Sequence, residues 1–176
     1  MAILTIPDKQ QVLDQPEDIR AYLNARGVIY EQWQAAIPLA DDASQEDVLA
    51  AYAHQLEPYM SANGYRTADV IQVNPDTPNI EALRAKFLSE HTHTEDEVRF
   101  FVAGEGMFWF NMGEGEDVFC VTCQAGDLIS VPANTRHWFD MGPKRQVKAI
   151  RMFIDMSGWT PHYTGSGVDG RYNPQD

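Results

Sequence analysis

Positive charge is scarce in this chain: 13 Lys and Arg face 26 Asp and Glu, giving a formal charge of −13 with histidine neutral. Phosphate backbones and anionic membrane surfaces are bound through clustered cations, so nucleic acid and membrane are excluded as expected partners and a small molecule is favoured. No apolar run reaches the roughly 20 residues that cross a bilayer, and the first residues lack a basic segment followed by an apolar stretch. A cytoplasmic protein is the expectation, and its acidic surface, which opposes nonspecific self-association, favours a monomer. Cysteine is nearly missing as well. Cys120 and Cys123 form a lone CxxC, a spacing found in redox pairs and half zinc sites, but no second pair completes a zinc site. Strand alternation from Val118 to Cys123 sends the two thiols to opposite faces, so reduced thiols are expected, at least one packed in the core.

Also lacking are repeats, low-complexity blocks and linkers, so residues 1–176 are read as a single domain. The front part, residues 1–84, is helix-rich and expected to pack outside a β-structure. Asp14 or Gln15 precedes Pro16, Glu17 and Asp18, which open a helix that Gly27 stops. Ser44 and Asp47 resemble a capping box ahead of an apolar stripe of Val48, Leu49, Tyr52 and Leu56. Pro58 is expected to disturb the last turns of that helix, and Asn63-Gly64 to end it. A third helix starts near Asn79, with Ile80, Leu83 and Phe87 on one face. Beyond residue 91 short apolar runs recur between glycine and proline, predicting strands near 97 to 102, 106 to 111, 117 to 123, 127 to 131, 136 to 140 and 146 to 154. Runs near 28 to 34 and 69 to 73 can add to the same sheets. Evenly spaced short strands indicate a sandwich or barrel. Residues 156–176 are predicted to have no regular structure.

The most informative residues are His91, His93, Glu97 and His137. Three imidazoles and a carboxylate can hold a transition metal, with a preference for borderline-to-hard ions such as iron, nickel, manganese, cobalt or zinc. Residues 91, 93 and 97 share one face if the backbone stays extended, and His137 follows a turn over Pro132 to Thr135 between two strand-like runs. Glu95 has the same parity as the histidines and alternation alone leaves it in contention, whereas Asp96 should point away. His54 lies in the second helix and is expected to be solvated; His162 at most flanks the site.

The spacings HxHxxxExxxxxxG, carried by His91, His93, Glu97 and Gly104, and GxxxxxPxxxxH, carried by Gly126, Pro132 and His137, resemble the two motifs of the cupin superfamily. The resemblance spans about residues 85–155. It favours Glu97 over Glu95 and implies a mainly β fold with flanking helices, the cupin double-stranded β-helix or jelly-roll barrel. Three departures stand out: Asn134 replaces a frequent glycine, Met141 replaces a frequent asparagine, and no glycine precedes His91 at the usual distance. The wider string from Glu97 to Gly106, with that from Gly126 to Phe139, closely resembles the acireductone dioxygenase family over nearly the whole chain.

That resemblance implies one Fe(II) or Ni(II) per chain, with dioxygen and the enediol 1,2-dihydroxy-3-keto-5-methylthiopentene of methionine salvage as substrates. Iron would give formate and 2-keto-4-methylthiobutyrate; nickel would give formate, carbon monoxide and 3-methylthiopropionate. Four protein ligands leave two positions of an octahedron for substrate. Arg99 shares the ligands' parity, so it should point inward, either to stabilise negative substrate oxygens or to pair with Glu97 or Glu95. Arg151 is a second candidate for the catalytic role, and Phe87, Phe139 and Trp159 are candidates for the apolar wall of a substrate pocket. Another metal-dependent cupin oxygenase or isomerase, or a non-catalytic metal- or ligand-binding cupin, is the alternative reading.

Overall fold

Strands dominate a computed structural model that describes residues 1–172. In chain order these are β1 (Ile3–Ile6), β2 (Gln11–Leu13), α1 (Pro16–Asn24), β3 (Ile29–Gln32), α2 (Gln45–Asn63), β4 (Thr67–Val73) and α3 (Ile80–Leu88). They continue with β5 (His91–Thr92), β6 (Glu97–Phe110), β7 (Phe119–Gln124), β8 (Asp127–Val131), β9 (His137–Asp140), β10 (Val147–Phe153) and β11 (His162–Tyr163). The strand pairings among the described residues are antiparallel and run in two sheets that share β6. One has the order β11-β5-β9-β6-β7-β1-β2, and the other is β4-β10-β6-β8-β3. The expected jelly-roll architecture is present.

The shared strand corrects the prediction of two strands at 97 to 102 and 106 to 111. Its first half pairs with β10 and β8, its second with β7 and β9. Between them Ala149 faces Phe101 while Lys148 faces Ala103, so Val102 is an extra residue, a β-bulge. A bulge reverses the side-chain alternation. Glu97, Arg99 and Phe101 point inward before it, and Phe108 and Phe110 do so after it, while Val98, Phe100 and Trp109 belong to outer clusters. Gly104 (φ +76°) follows the bulge, where a Cβ would overlap the Gln146 carbonyl.

Of the three α-helices among the described residues, α1 and α3 start after Gln15 and Asn79 without a side-chain cap bond, whereas α2 carries the expected cap. In α2 the Asp47 N–H donates to Ser44 Oγ at 3.1 Å and the Ser44 N–H reaches Asp47 Oδ2 at 3.4 Å, completing the capping box. Val48, Ala51, Tyr52 and Leu56 bury against Val98, Phe100, Leu128, Ile150 and Met152 of the second sheet. That packing carries the helix through Pro58 to Gly64, which adopts φ +77°; Pro58 does not end it. No helix of the described residues is long and apolar enough to cross a membrane.

Within residues 1–84, β3 and β4 join the sheets by pairing with β8 and β10, as expected of the runs near 28 to 34 and 69 to 73, whereas β1, which pairs with β7, adds a strand that was not expected. The segment after residue 155 corrects the expectation of no regular structure: 3-10 turns span Met156–Trp159 and Asp169–Arg171, and β11 pairs with β5; residues 173–176 lie outside the described residues. The short strands β1, β2, β5 and β11 are defined by their pairing partners rather than by alternation. Cys120 and Cys123 are free, buried and in different clusters, and burial pushes both thiols up from their ordinary value.

Gly104→Ala is expected to destabilise the fold by about 3 kcal/mol, through the left-handed backbone and the overlap with Gln146. A shift of the urea midpoint measures it; an unchanged midpoint would show that the bulge relaxes freely.

Candidate metal centre

The end of α3 delivers the chain to β5, which sets His91 directly opposite His137 at the start of β9. His93 follows in a short bend, and Glu97 opens β6. The shared face is therefore made by two strands and a bend rather than one extended run. The potential ligand atoms of His91, His93, Glu97 and His137 lie within 4.8 Å of one another, and all four residues are buried.

Backbone carbonyls fix the imidazoles. His91 Nδ1 lies 2.7 Å from Ser89 O, His137 Nδ1 2.8 Å from Thr135 O and His93 Nδ1 3.2 Å from Thr160 O. A carbonyl only accepts, so each Nδ1 carries the hydrogen and each Nε2 of a neutral ring presents a lone pair. His93 and His137 aim Nε2 at Glu97 Oε2, at 3.0 and 2.8 Å. Lone pairs converging on a carboxylate oxygen repel unless a proton or a cation lies among them, so this donor set fits a divalent cation. Burial, with His137 second, pulls the His91 pKa down to about 4, which keeps that ring neutral and able to ligate. Burial pushes the Glu97 carboxyl up, but the Arg99 guanidinium, with the His137 and His93 rings beside it, outweighs that and holds the group well below the carboxylate range.

The competing carboxylates are engaged elsewhere. Glu95 Oε2 accepts from the N–H groups of Ile154 and Asp155, both at 3.3 Å. Asp96 points away and takes the Tyr65 hydroxyl at 3.0 Å and the Ala133 N–H at 2.9 Å. His54 and His162 are exposed. Asn134 occupies the position where glycine is frequent because its φ is +63°, a conformation asparagine tolerates better than most residues, and its N–H donates to His93 O at 2.8 Å.

A cavity of about 680 Å³ adjoins the centre and is lined by Phe87, Arg99, Phe139, Arg151 and Trp159, among others. None of the four candidate ligands lines it; they sit behind the wall, with Trp159 stacked on His93 (6.3 Å between centroids) and Phe87 tilted against His91 (6.1 Å). Arg99 Nε lies 3.0 Å from Glu97 Oε1, an ion pair whose alignment falls short of a hydrogen bond. Its guanidinium is boxed by Phe139, Trp159 and Phe108, at 4.6, 5.5 and 5.7 Å. Arg151 is held by Asp69 in a two-pronged pair at 2.8 and 2.6 Å. Sequence reasoning missed Ser89, Thr135 and Thr160, which act through carbonyls that every residue possesses, and Tyr163, whose ring packs edge-on against His91. It also missed Met141, which lines the cavity.

The sequence matches the family described as "ARD/ARD' family" over residues 5–161. It is 55% identical over 172 residues to the acireductone dioxygenase of a Picosynechococcus species, covering 98% of this chain and 97% of that one. Identity to the acireductone dioxygenase of Stutzerimonas stutzeri is 52% over 163 residues, covering 92% and 88%. Among solved structures, acireductone dioxygenase from Bacillus anthracis with a cadmium ion in its active center superposes with a TM-score of 0.85, at 36% identity, covering 93% of this chain and 98% of that chain.

Saturating the metal-free protein with Ni(II) is expected to stabilise it by about 4 kcal/mol at a thousandfold excess over Kd, roughly 8–16 °C in melting temperature for a chain of this size. The shift should vanish in His137→Ala. Equal shifts in both proteins would place the binding elsewhere.

Proposed function

The chain belongs to the acireductone dioxygenase family, and from that premise we propose that it cleaves 1,2-dihydroxy-3-keto-5-methylthiopentene with dioxygen in methionine salvage. The observation that carries the proposal is the convergence of three carbonyl-oriented imidazoles and Glu97 beside a cavity lined by apolar rings and two arginines. His91, His93, Glu97 and His137 would hold one Fe(II) or Ni(II), a choice that nitrogen and carboxylate ligands leave to metal supply and that sets the products. Such a cation supplies Lewis acidity, favouring the ionised enediol by binding its oxygens.

The protein's own groups do the rest. Glu97 turns Oε2 toward the imidazoles and Oε1 toward Arg99, so the guanidinium sits one carboxylate away from the metal group. Boxed by three rings, Arg99 keeps its place without reorganising, as a donor acting on developing negative charge should. Arg151 occupies the neighbouring wall, its fork already committed to Asp69, and contributes a fixed positive field. Phe87, Phe139 and Trp159 exclude water and give the methylthio tail an apolar surface. The reading extends to a single cupin domain acting as a cytoplasmic monomer, which the acidic charge of −13 supports by opposing self-association.

The test mixes metal-loaded protein with the enediol anaerobically and then admits oxygen. Enediol absorbance should fall far faster than in a protein-free control, and equal rates would refute the activity. Arg99→Lys keeps the charge but loses the planar fork, so metal content should persist while kcat falls about 100-fold. Unchanged kcat would reduce Arg99 to a partner of Glu97.

A further inference from the structure

The cavity reverses the electrostatic sign of the molecule. The chain carries −13, yet the cavity wall holds Lys86, Arg99 and Arg151 and no carboxylate among the described residues. Two of those cations are already paired, Arg99 with Glu97 and Arg151 with Asp69, so they act within the cavity and cancel with their partners beyond its mouth. Lys86 shows no carboxylate partner among the described residues. It is exposed in the last turn of α3, its Nζ 5.2 Å from the Phe87 ring, which in turn abuts His91. Its backbone is anchored, because the Tyr163 hydroxyl donates to Lys86 O at 2.7 Å.

Nearby carboxylates are occupied. Glu81, on the same helix, pairs with Arg145 at 2.7 Å. Glu90 is buried and accepts from Asn111, Thr164 and Ser166. An anion approaching a body of this charge is repelled until it comes within a screening length of about 8 Å, where the nearest uncompensated charges decide. At this opening the uncompensated charge is an ammonium.

We propose that Lys86 is a specificity residue, drawing the anionic form of the substrate to the cavity mouth and disfavouring neutral molecules of the same shape. The proposal rests on the enediol reading above, since an enediol conjugated to a ketone is an acid that ionises readily. Lys86 acts on capture, so it affects KM and leaves the chemical step alone.

The experiment follows kcat/KM for the enediol against ionic strength in the metal-loaded wild type, Lys86→Gln, Lys86→Glu and Lys9→Gln. Lys9 pairs with Asp117 away from the cavity, and its variant changes the net charge as much as Lys86→Gln does. At low salt, Lys86→Gln should lower kcat/KM by about threefold to tenfold and Lys86→Glu by more, through KM, with kcat within about twofold. The deficits should close toward roughly 0.5 M salt, and Lys9→Gln should follow the wild type. A Lys86→Glu enzyme equal to wild type at low salt, or a deficit indifferent to salt or carried by kcat, would overturn the proposal. Should the wild type not cleave the enediol at all, the activity fails separately, and calorimetry with pentanoate and pentanamide still decides this point. Lys86→Glu should weaken pentanoate about threefold or more while sparing pentanamide, and equal effects on both would refute it.

Discussion

A carboxylate buried among three imidazoles is the constraint on which the rest of the structure depends. Taking these groups out of water is costly unless each polar atom finds a partner. Each imidazole therefore draws a carbonyl from a different segment: Ser89 from the end of α3, Thr135 from the turn before β9, and Thr160 from the carboxy-terminal segment. The carboxylate takes its charge compensation from Arg99, two residues along the same strand and on the same face. Segments remote in sequence are thus tied to one point, and each fixes which ring nitrogen is left to bind a metal.

The bulge at Val102 lets a single strand serve both sheets. Before it the inward positions carry the polar pair Glu97 and Arg99; after it they carry Phe108 and Phe110, which close the core beneath the centre. Arg99 also lies directly opposite Arg151 across β6 and β10, a like-charge pairing that is unfavourable by itself. Glu97 and Asp69 offset it from either side, and Trp159 lies 5.5 Å from each guanidinium. Four charges and one indole form a wall that is positive toward the cavity yet paired behind it.

Much of this was legible in the sequence, for reasons that differ by residue. Local chemistry announced Ser44 with Asp47, Pro16 and Gly64, because caps depend on neighbours in the chain. The four candidate ligands stood out by their likeness to the cupin motif spacings, since alternation alone left Glu95 in contention, and they converge through two strands and a bend rather than one extended run. The bulge was not legible: Ala103-Gly104-Glu105-Gly106 reads as a turn, and only pairing with β10 and β7 shows continuous strand. Strands β1, β2, β5 and β11 escaped because their pairing partners, rather than alternation, define them. Asn134 looked like a departure from a motif and is instead a second solution to the same left-handed backbone.

The carboxy-terminal segment joins the two halves of the site. Thr160 supplies the carbonyl for His93, while Trp159 stacks on the same ring and, with Pro161 and Tyr163, walls the cavity. The segment is fastened by Glu90, which accepts the hydroxyls of Thr164 and Ser166, and by the β5–β11 pairing. Glu90 and His91 are chain neighbours, so one turn of backbone both positions a candidate ligand and holds down the strap that orients another. Any molecule pressed against Trp159 therefore bears on the same segment that sets the His93 tautomer. The cavity wall and the candidate metal group are thus joined through a continuous set of hydrogen bonds and ring contacts.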